Sequence, residues 1–541
     1  MALGSPVPGK DRRMPDHRDL RGKDKVKILY LRPPRHFWPI LNESDNFLLP
    51  LGYPALAAWL RKVMPDRVEQ EILDCCPLNI GWQSLRGELE QRRPDIVCVG
   101  EKTVYAMEGI RALELAKEVD PGVVTIAGGH LYSAMPLYTF DHCPSLDYVI
   151  RYEGEKPMEA LVAALIGKGD LRDVPSLCWI EDGEMQETSI AEPIADMREL
   201  PMPAYDLASI DNYAPFGLLW PRAATIQRGR GCIDTCKFCS WIALEARHTR
   251  QSDGTMVHNT FYRSKSVEQV IDEIDVLYNK HGIRYLFWVD ATWNLDPDWL
   301  VAFSEEIIRR KYKLGWWSFF RIDQFIKQHK MGIAKLYVQA GLRHVLVGVE
   351  RGEVDDLGWL KKHNYGWDTT VEAFHLLRDH YPEVFRQGTI ITGIRSDTAE
   401  SIRKLLDLAH AADLDFAAFH PCTPFPGTPL YDEALKNGWL EEHDFTNYDM
   451  FSPVMPTEHL TREEVAHWTT WCQKNFVMKK PLRYFSRMLS PHPIRRRLHQ
   501  WFFLSINRVI ARDAMNALTG KSAFRGFSGV NSLWKPSWYD D

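Results

Sequence analysis

The segment RGRGCIDTCKFCSW places Cys232, Cys236 and Cys239 in C-x-x-x-C-x-x-C spacing. Thiolates are soft ligands that suit iron–sulfur clusters or zinc. A structural zinc takes four protein ligands, and here three cysteines stand together with no obvious fourth. Such a trio suits a [4Fe–4S] cluster with one iron left open. The competing reading is a zinc site completed from a distance, by His248 or Cys422. Gly229 and Gly231 let the backbone turn tightly before the first thiol, and loop amides there can hydrogen-bond cluster sulfides and tune the potential. Cys75, Cys98, Cys143, Cys178 and Cys472 are scattered and read as core thiols. Ten cysteines in 541 residues are too sparse for a disulfide framework. They point to a reducing, cytoplasmic setting.

The elements that must position these thiols read as an ordinary globular protein, 45% hydrophobic and 26% charged. Lys and Arg number 66 against 72 Asp and Glu, a net charge of −6 that gives no reason to expect a nucleic-acid partner. No run of eighteen apolar residues predicts a membrane span. Residues 1–24 are charged and proline-bearing with no apolar core, and read as a disordered tail rather than a secretory signal.

Short apolar runs at 26–31, 69–74, 94–100, 123–129 and 147–155 alternate with helical spacings. This pattern predicts a doubly wound, Rossmann-like parallel α/β sheet over residues 25–165, followed by a linker over 166–220. Ligands of such sheets lie beyond the carboxyl ends of the strands. Those ends carry Gly100, Glu101, Thr103, Gly128, Gly129 and His130. No G-x-G-x-x-G follows the first strand, so a dinucleotide fingerprint is absent, and on their own the glycines read as tight turns.

Six further strand–helix units over 221–432 predict a (β/α)6 partial barrel of the TIM type, with chemistry at the strand carboxyl ends. There stand Asp290, Asn294, Arg321, Glu350 and Gly393. Residues 433–541 read as helical, with a capping box of Thr461 and Glu464. Arg495, Arg496 and Arg497 precede Trp501, Phe502 and Phe503. That pattern fits a basic surface touching a membrane or an apolar substrate. Helices packed over the barrel mouth are the preferred expectation. Most of the 19 tryptophans read as core, with Trp288, Trp293, Trp316 and Trp317 near strand ends.

The cysteine spacing, with aromatic Phe238 before the last thiol, is similar to that of the radical S-adenosylmethionine family. The segments PLGYPALAAWL, PDIVCVGEKT, AGGH and YEGE resemble the N-terminal cobalamin-binding domain of one large group of these enzymes. The D-x-H-x-x-G motif that supplies a histidine to cobalt is missing. The resemblance therefore implies cobalamin held without a protein histidine below the metal, with His130 near the nucleotide tail or capping a strand. It implies that Glu350, at the fourth barrel strand, contacts the ribose or amino group of S-adenosylmethionine; on residues alone, a pair with Arg351 or Arg321 is equally open. TGIRSDTAESI resembles the family's G-x-P-G-E-T pattern, but Arg395, Ser396 and Asp397 depart from it and leave the nucleoside contact near Gly393 open. The second strand lacks the family's glycine-glycine-glutamate and offers Asp290 and Asn294 instead. PVMPTEHLTREEV, KKPLRYF and IRRR resemble the tail of the anaerobic magnesium-protoporphyrin monomethyl ester cyclases.

Together these likenesses imply a [4Fe–4S] cluster, S-adenosylmethionine and cobalamin. They also imply methyl transfer to an unactivated carbon or phosphorus after a 5′-deoxyadenosyl radical forms. Oxidative ring closure of the cyclase type is the alternative within enzymes, and an iron–sulfur electron carrier or scaffold the alternative outside them. The implied partners are a small-molecule substrate and an external reductant such as flavodoxin or ferredoxin. The expected docking of the cobalamin domain over the barrel mouth falls to the proline-bearing segment 200–215.

Overall fold

The computed structural model describes residues 16–36, 48–213, 222–252, 256–362, 365–518 and 536–541. Its first layer is a seven-stranded sheet in the order β2-β1-β3-β4-β5-β6-β7. The strands are β1 (Val26–Arg32), β2 (Val68–Asp74), β3 (Ile96–Glu101), β4 (Val124–Gly129), β5 (Tyr148–Ile150), β6 (Leu177–Glu181) and β7 (Glu184–Glu187). The first five run parallel, as the apolar runs predicted. The last two are antiparallel and lie in the segment read as linker. Asp182 and Gly183, with φ of 51° and 82°, form the tight turn between them.

The expected tail is ordered from residue 16. Leu20 is buried, and Arg18 reaches Asp95 and Asp120 while its amide donates to Gly122 O. Residues 1–15 lie outside the described residues.

The second sheet is six-stranded and parallel, in the order β17-β16-β15-β14-β13-β8. It comprises β8 (Ala223–Ile226), β13 (Tyr285–Trp288), β14 (Gly315–Phe320), β15 (Leu342–Glu350), β16 (Phe385–Thr392) and β17 (Phe416–Pro421), wrapped by helices as an open barrel. Between β8 and β13 the chain makes β9 (Gly229–Arg230), the hairpin β10 (Arg247–Arg250) and β11 (Met256–Asn259), and β12 (Arg263–Ser264), which pairs with β9. Trp288, Trp293 and Trp316 are fully buried with Phe303 and Phe320 in the outer core, as expected. On β14 the alternation turns Trp317 and Phe319 the other way, into the lumen beside Phe287.

The C-terminal helices do not cover the mouth. Helix Arg462–Met478, with its Thr461–Glu464 capping box, runs down the open edge of the barrel. Gln473 accepts from Phe419 N at 3.1 Å and donates to Ala417 O at 3.0 Å, so it satisfies edge groups of β17 that another strand would otherwise use. Helix Pro493–Leu518 packs under the barrel, with Leu498, Trp501 and Phe502 against Ala223, Tyr285 and Phe385, which open their strands. Asp415, just before β17, anchors it through Arg386, Arg487, Arg495 and His499. This end is opposite the strand carboxyl ends. Periodicity showed which helical face is apolar and not which surface would receive it.

Candidate active site

The cluster loop leaves β8 at Gln227 and is held by its neighbours before the first thiol. Asp290, at the end of β13, accepts from Gly229 N at 2.5 Å and from Arg228 N at 3.3 Å. Burial pushes its carboxyl up to about 7 against the pull of Arg228 and these amides. Gly231 sits at φ 82°, where a Cβ would collide with Phe261 O, and its amide donates to Glu245 at 2.7 Å. Cys232, Cys236 and Cys239 then follow on one loop, Cys236 buried and the others half-buried. Cys232 Sγ lies 3.5 Å from Thr292 Oγ1, and Cys239 N donates to Cys236 O at 3.1 Å. Burial drives the Cys236 and Cys239 thiols up to about 12 and about 11, so ligation must supply the charge that ionises them.

The distant donors named for zinc are engaged elsewhere. His248 Nδ1 lies 2.9 Å from His258 Nδ1, and the His248 ring stacks on Tyr152 with centroids 3.9 Å apart. Cys422 is buried in the core shared by the two domains. Among the described residues no three His, Cys, Asp or Glu side chains converge as a single ion would require.

Glu350 closes β15 after a register shift between Gly348 and Glu350 and takes φ 59°, a left-handed value rare for a side chain of this size. It pairs with neither Arg351 nor Arg321. Lys362 Nζ donates to Glu350 Oε1 at 2.8 Å and to Gly348 O at 2.6 Å, and its charge also acts on Cys236. Arg321 instead meets Asp234 inside the cluster loop and Asp323. Asn294 is consumed by Arg321 backbone, accepting from its N at 2.8 Å and donating to its O at 2.9 Å.

Gly393 has φ 70° and packs on Val465. Asp397 accepts from Gly393 N at 2.7 Å, Ile394 N at 3.1 Å and both terminal nitrogens of Arg351, at 2.6 and 3.0 Å. The Asp397 that departs from the family pattern thus builds the turn itself. The chain brings Cys232, Cys236, Cys239, Arg321, Glu350 and Lys362 to one end of the barrel.

The first domain's strand ends face the same end. Tyr53 OH ties β1 to β3, donating to Leu31 O at 2.8 Å and accepting from Gly100 N at 2.8 Å. A Cβ at Gly129 would press on Glu101 O, whereas Gly128 has only Ile150 O at 3.5 Å beside it. Glu101 is buried with Arg35 at 3.4 Å, and its Oε1 has no hydrogen-bond partner among the described residues; burial holds its carboxyl well above the usual range. Thr103 is buried at the start of a 3-10 turn. The His130 imidazole is driven down to about 4 by burial and Lys102, so it is neutral at pH 7.

Ion pairs, a shared apolar core and one connecting segment join the domains here. Arg230, two residues before Cys232, pairs with Glu155 at 2.6 Å and with Glu153 at 3.5 Å. Arg263 pairs with Glu153 and donates to Ile194 O. Leu131, Tyr132 and Phe140 of the first domain share one apolar core with Leu360, Ile391, Ile394, Cys422 and Leu430 of the barrel. Of the segment expected to set this docking, residues 200–213 bridge the two domains, and residues 214–215 lie outside the described residues. Ala204 N donates to Pro54 O and Tyr213 OH to Asp74 in the first domain, while Tyr205 OH donates to Glu273 of a barrel helix.

Two family models match the chain on either side of this junction, a B12 binding domain over residues 38–162 and the radical SAM superfamily over residues 226–409. The chain is a cobalamin-binding radical S-adenosylmethionine enzyme. Its cofactors are a [4Fe–4S] cluster, S-adenosylmethionine and cobalamin. Among the enzyme's relatives is an uncharacterized methyltransferase, PH0819, of Pyrococcus horikoshii, 25% identical over 82% of this chain and 90% of the relative. The anaerobic magnesium-protoporphyrin IX monomethyl ester cyclase of Cereibacter sphaeroides is 27% identical over 80% of this chain and 68% of that one. In structure the enzyme shares its fold with the methyltransferase TsrM of Kitasatospora setae (TM-score 0.60, 20% identity, 77% of this chain and 76% of that one). It also shares it with the cobalamin-dependent radical enzyme OxsB (TM-score 0.66, 16% identity, 94% and 78%).

The residues present fit these groups. Three thiols on one loop suit a cubane. A carboxylate and an ammonium, Glu350 and Lys362, suit the hydroxyls, ammonium and carboxylate of S-adenosylmethionine. Glu101 Oε1, which no described residue hydrogen-bonds, and the open side of Gly128 suit the amide-bearing edge of cobalamin. Lys362, Arg230 and Glu155 escaped the sequence reading as site residues. Glu155 lies in the YEGE segment singled out there, but its partner is 75 residues away and no local pattern announces the pair.

Proposed function

We propose that the enzyme transfers a methyl group to an unactivated carbon or phosphorus of a small substrate. When bound, the cluster and S-adenosylmethionine supply a hydrogen-abstracting radical and cobalamin supplies the methyl carrier. Cys232, Cys236 and Cys239 hold the cluster, and Glu350 with Lys362 orients the nucleotide beside Cys236. Glu101, Thr103, Gly128, Gly129 and His130 line the edge where cobalamin rests, and His130 stays neutral there. Asp290 and Asp397 are positioning residues that fix the cluster loop and the turn at Gly393. Trp317 and Phe319 on β14, with Trp241 in the cluster loop 6.4 Å from Phe319, make the lumen apolar and keep water from the reacting atoms.

The observation that carries this reading is the shared apolar core and the Arg230–Glu155 pair. They set the strand ends of the cobalamin domain against the cluster end of the barrel. The methyltransferases among the relatives support methyl transfer; they include the hopanoid C-3 methylase of Methylococcus capsulatus, 26% identical over 68% of this chain and 66% of that one. The cyclases support ring formation as the second reading. An anaerobic incubation with a strong reductant and candidate substrates separates the two by product mass. A gain of about 14 mass units with two S-adenosylmethionine consumed supports methyl transfer, and a mass loss without methyl incorporation supports ring closure. An external reductant is required in either case, and its identity follows from which small redox protein sustains turnover.

A further inference from the structure

Between Val465 and Arg512 the chain carries ten Lys and Arg and no Asp or Glu, in a protein whose net charge is −6. Three helices span this stretch: Arg462–Met478, Pro481–Arg487 and Pro493–Leu518. One side of them is spent on the barrel: Arg483 and Arg487 donate to Leu414 O, Arg495 reaches Asp415, and Trp501 and Phe502 fill the barrel floor. The other side is apolar and open. Leu482 and Leu489 are 82% and 81% exposed, and Met478, Phe485, Phe503 and Leu504 are exposed around them. Phe485 and Phe503 touch at 5.6 Å between centroids, so the two C-terminal helices present one continuous patch. Lys474, Lys479, Lys480 and Arg497 stand exposed beside it.

We propose that this patch docks the enzyme on the surface of an anionic lipid bilayer. Large side chains at this exposure are costly in water and gain on entering the acyl boundary, while flanking lysines and arginines gain from anionic headgroups. A polyanion such as nucleic acid would match the charge and leave Leu482 and Leu489 in water. Among the described residues no helix is long and apolar enough to cross a membrane, so the enzyme lies on the bilayer rather than spanning it. Helix Arg462–Met478 begins at Gly393, at the mouth, and ends at the barrel floor. Docking therefore puts the floor on the lipid and leaves the mouth and the cobalamin domain facing water, open to reductant and substrate. This inference does not depend on methyl transfer, and its test does not use turnover.

The test is flotation of the full chain with vesicles of phosphatidylcholine alone or with one-third phosphatidylglycerol, at low and at high salt. Flotation with the anionic vesicles, weakened by salt and by omission of phosphatidylglycerol, is expected. Leu482→Asp with Leu489→Asp, and separately Lys479→Glu with Lys480→Glu, should each lower the bound-to-free ratio about tenfold or more. Unchanged far-ultraviolet dichroism in each variant shows that the fold is kept. Absence of flotation overturns the proposal, as does binding that the leucine variants leave intact, which would be mere charge adsorption. A dimer in sedimentation velocity that the leucine variants dissociate, without flotation, would assign the patch to a second copy and equally overturn it.

Discussion

Replacing Arg230 by Met tests whether the cluster loop and the cobalamin domain are clamped by charge. The Arg230 side chain is 12% exposed and Glu155 4%, so neither is solvated well enough to stand alone. Burial by itself would raise the Glu155 carboxyl, yet the Arg230 charge and hydrogen bond carry it below its usual value. Removing one partner of such a pair leaves a buried charge uncompensated and costs about 3–5 kcal/mol. The neighbouring Glu153 keeps Arg263 and is less affected. Because the two domains share a core, the loss should appear in the main urea transition, followed by tryptophan fluorescence. Arg230→Glu with Glu155→Arg should recover at least half of it, a rescue that simple loss of packing would not give. The Glu155 carboxyl is depressed in the folded state, so the clamp contributes fully above about pH 4.3. Its contribution is lost as pH falls through the folded value, and because burial alone would raise the Glu155 carboxyl in Arg230→Met, the difference between parent and variant should narrow as pH falls from 8 to 5. A loss of under about 1 kcal/mol, or a charge-swapped protein no better than the single variant, would refute the reasoning.

Ala in place of Cys232, Cys236 and Cys239 together should abolish the brown absorbance of the reconstituted protein and all formation of 5′-deoxyadenosine. Glu350→Ala should weaken S-adenosylmethionine binding by about 1–3 kcal/mol in an anaerobic binding titration; unchanged affinity would make the Lys362 pair purely structural. Asp290→Asn removes a carboxyl that burial lifts to about 7 from an ordinary value near 3.9. A raised carboxyl contributes most below its unfolded value and loses that contribution as pH rises through 7. The melting temperature of the variant relative to the parent should therefore climb between pH 5 and 8, and a constant difference would count against that assignment. Gly231→Ala should cost more than about 1 kcal/mol and lower cluster retention, because φ 82° and Phe261 O both exclude a methyl there.

The parallel strands were legible because each is a short apolar run bounded by turn residues, and the capping box at Thr461 announced its helix. The hairpin of β6 and β7 was missed, because the polar alternation of EMQE on an exposed edge left that segment reading as linker. At the site, the cysteine spacing singled out the three thiols of the cluster loop and the strand-end rule singled out Glu350, and the fold brings them to the same end of the barrel. The rest depended on partners far apart in the chain. Lys362 reaches Glu350 across twelve residues, Asp234 meets Arg321 across eighty-seven, and Arg228 and Gly229 claim Asp290 across about sixty. Charged residues at strand ends look alike in sequence whether they face a ligand or tie down a loop, and only the fold tells them apart.

The most direct measurement is Mössbauer spectroscopy of iron-57 protein reconstituted without oxygen, before and after addition of S-adenosylmethionine. Three cysteine ligands predict a cubane in which a single iron changes its isomer shift on addition while the others hold. Zinc in place of iron, or four irons that all ignore the nucleotide, would contradict the account.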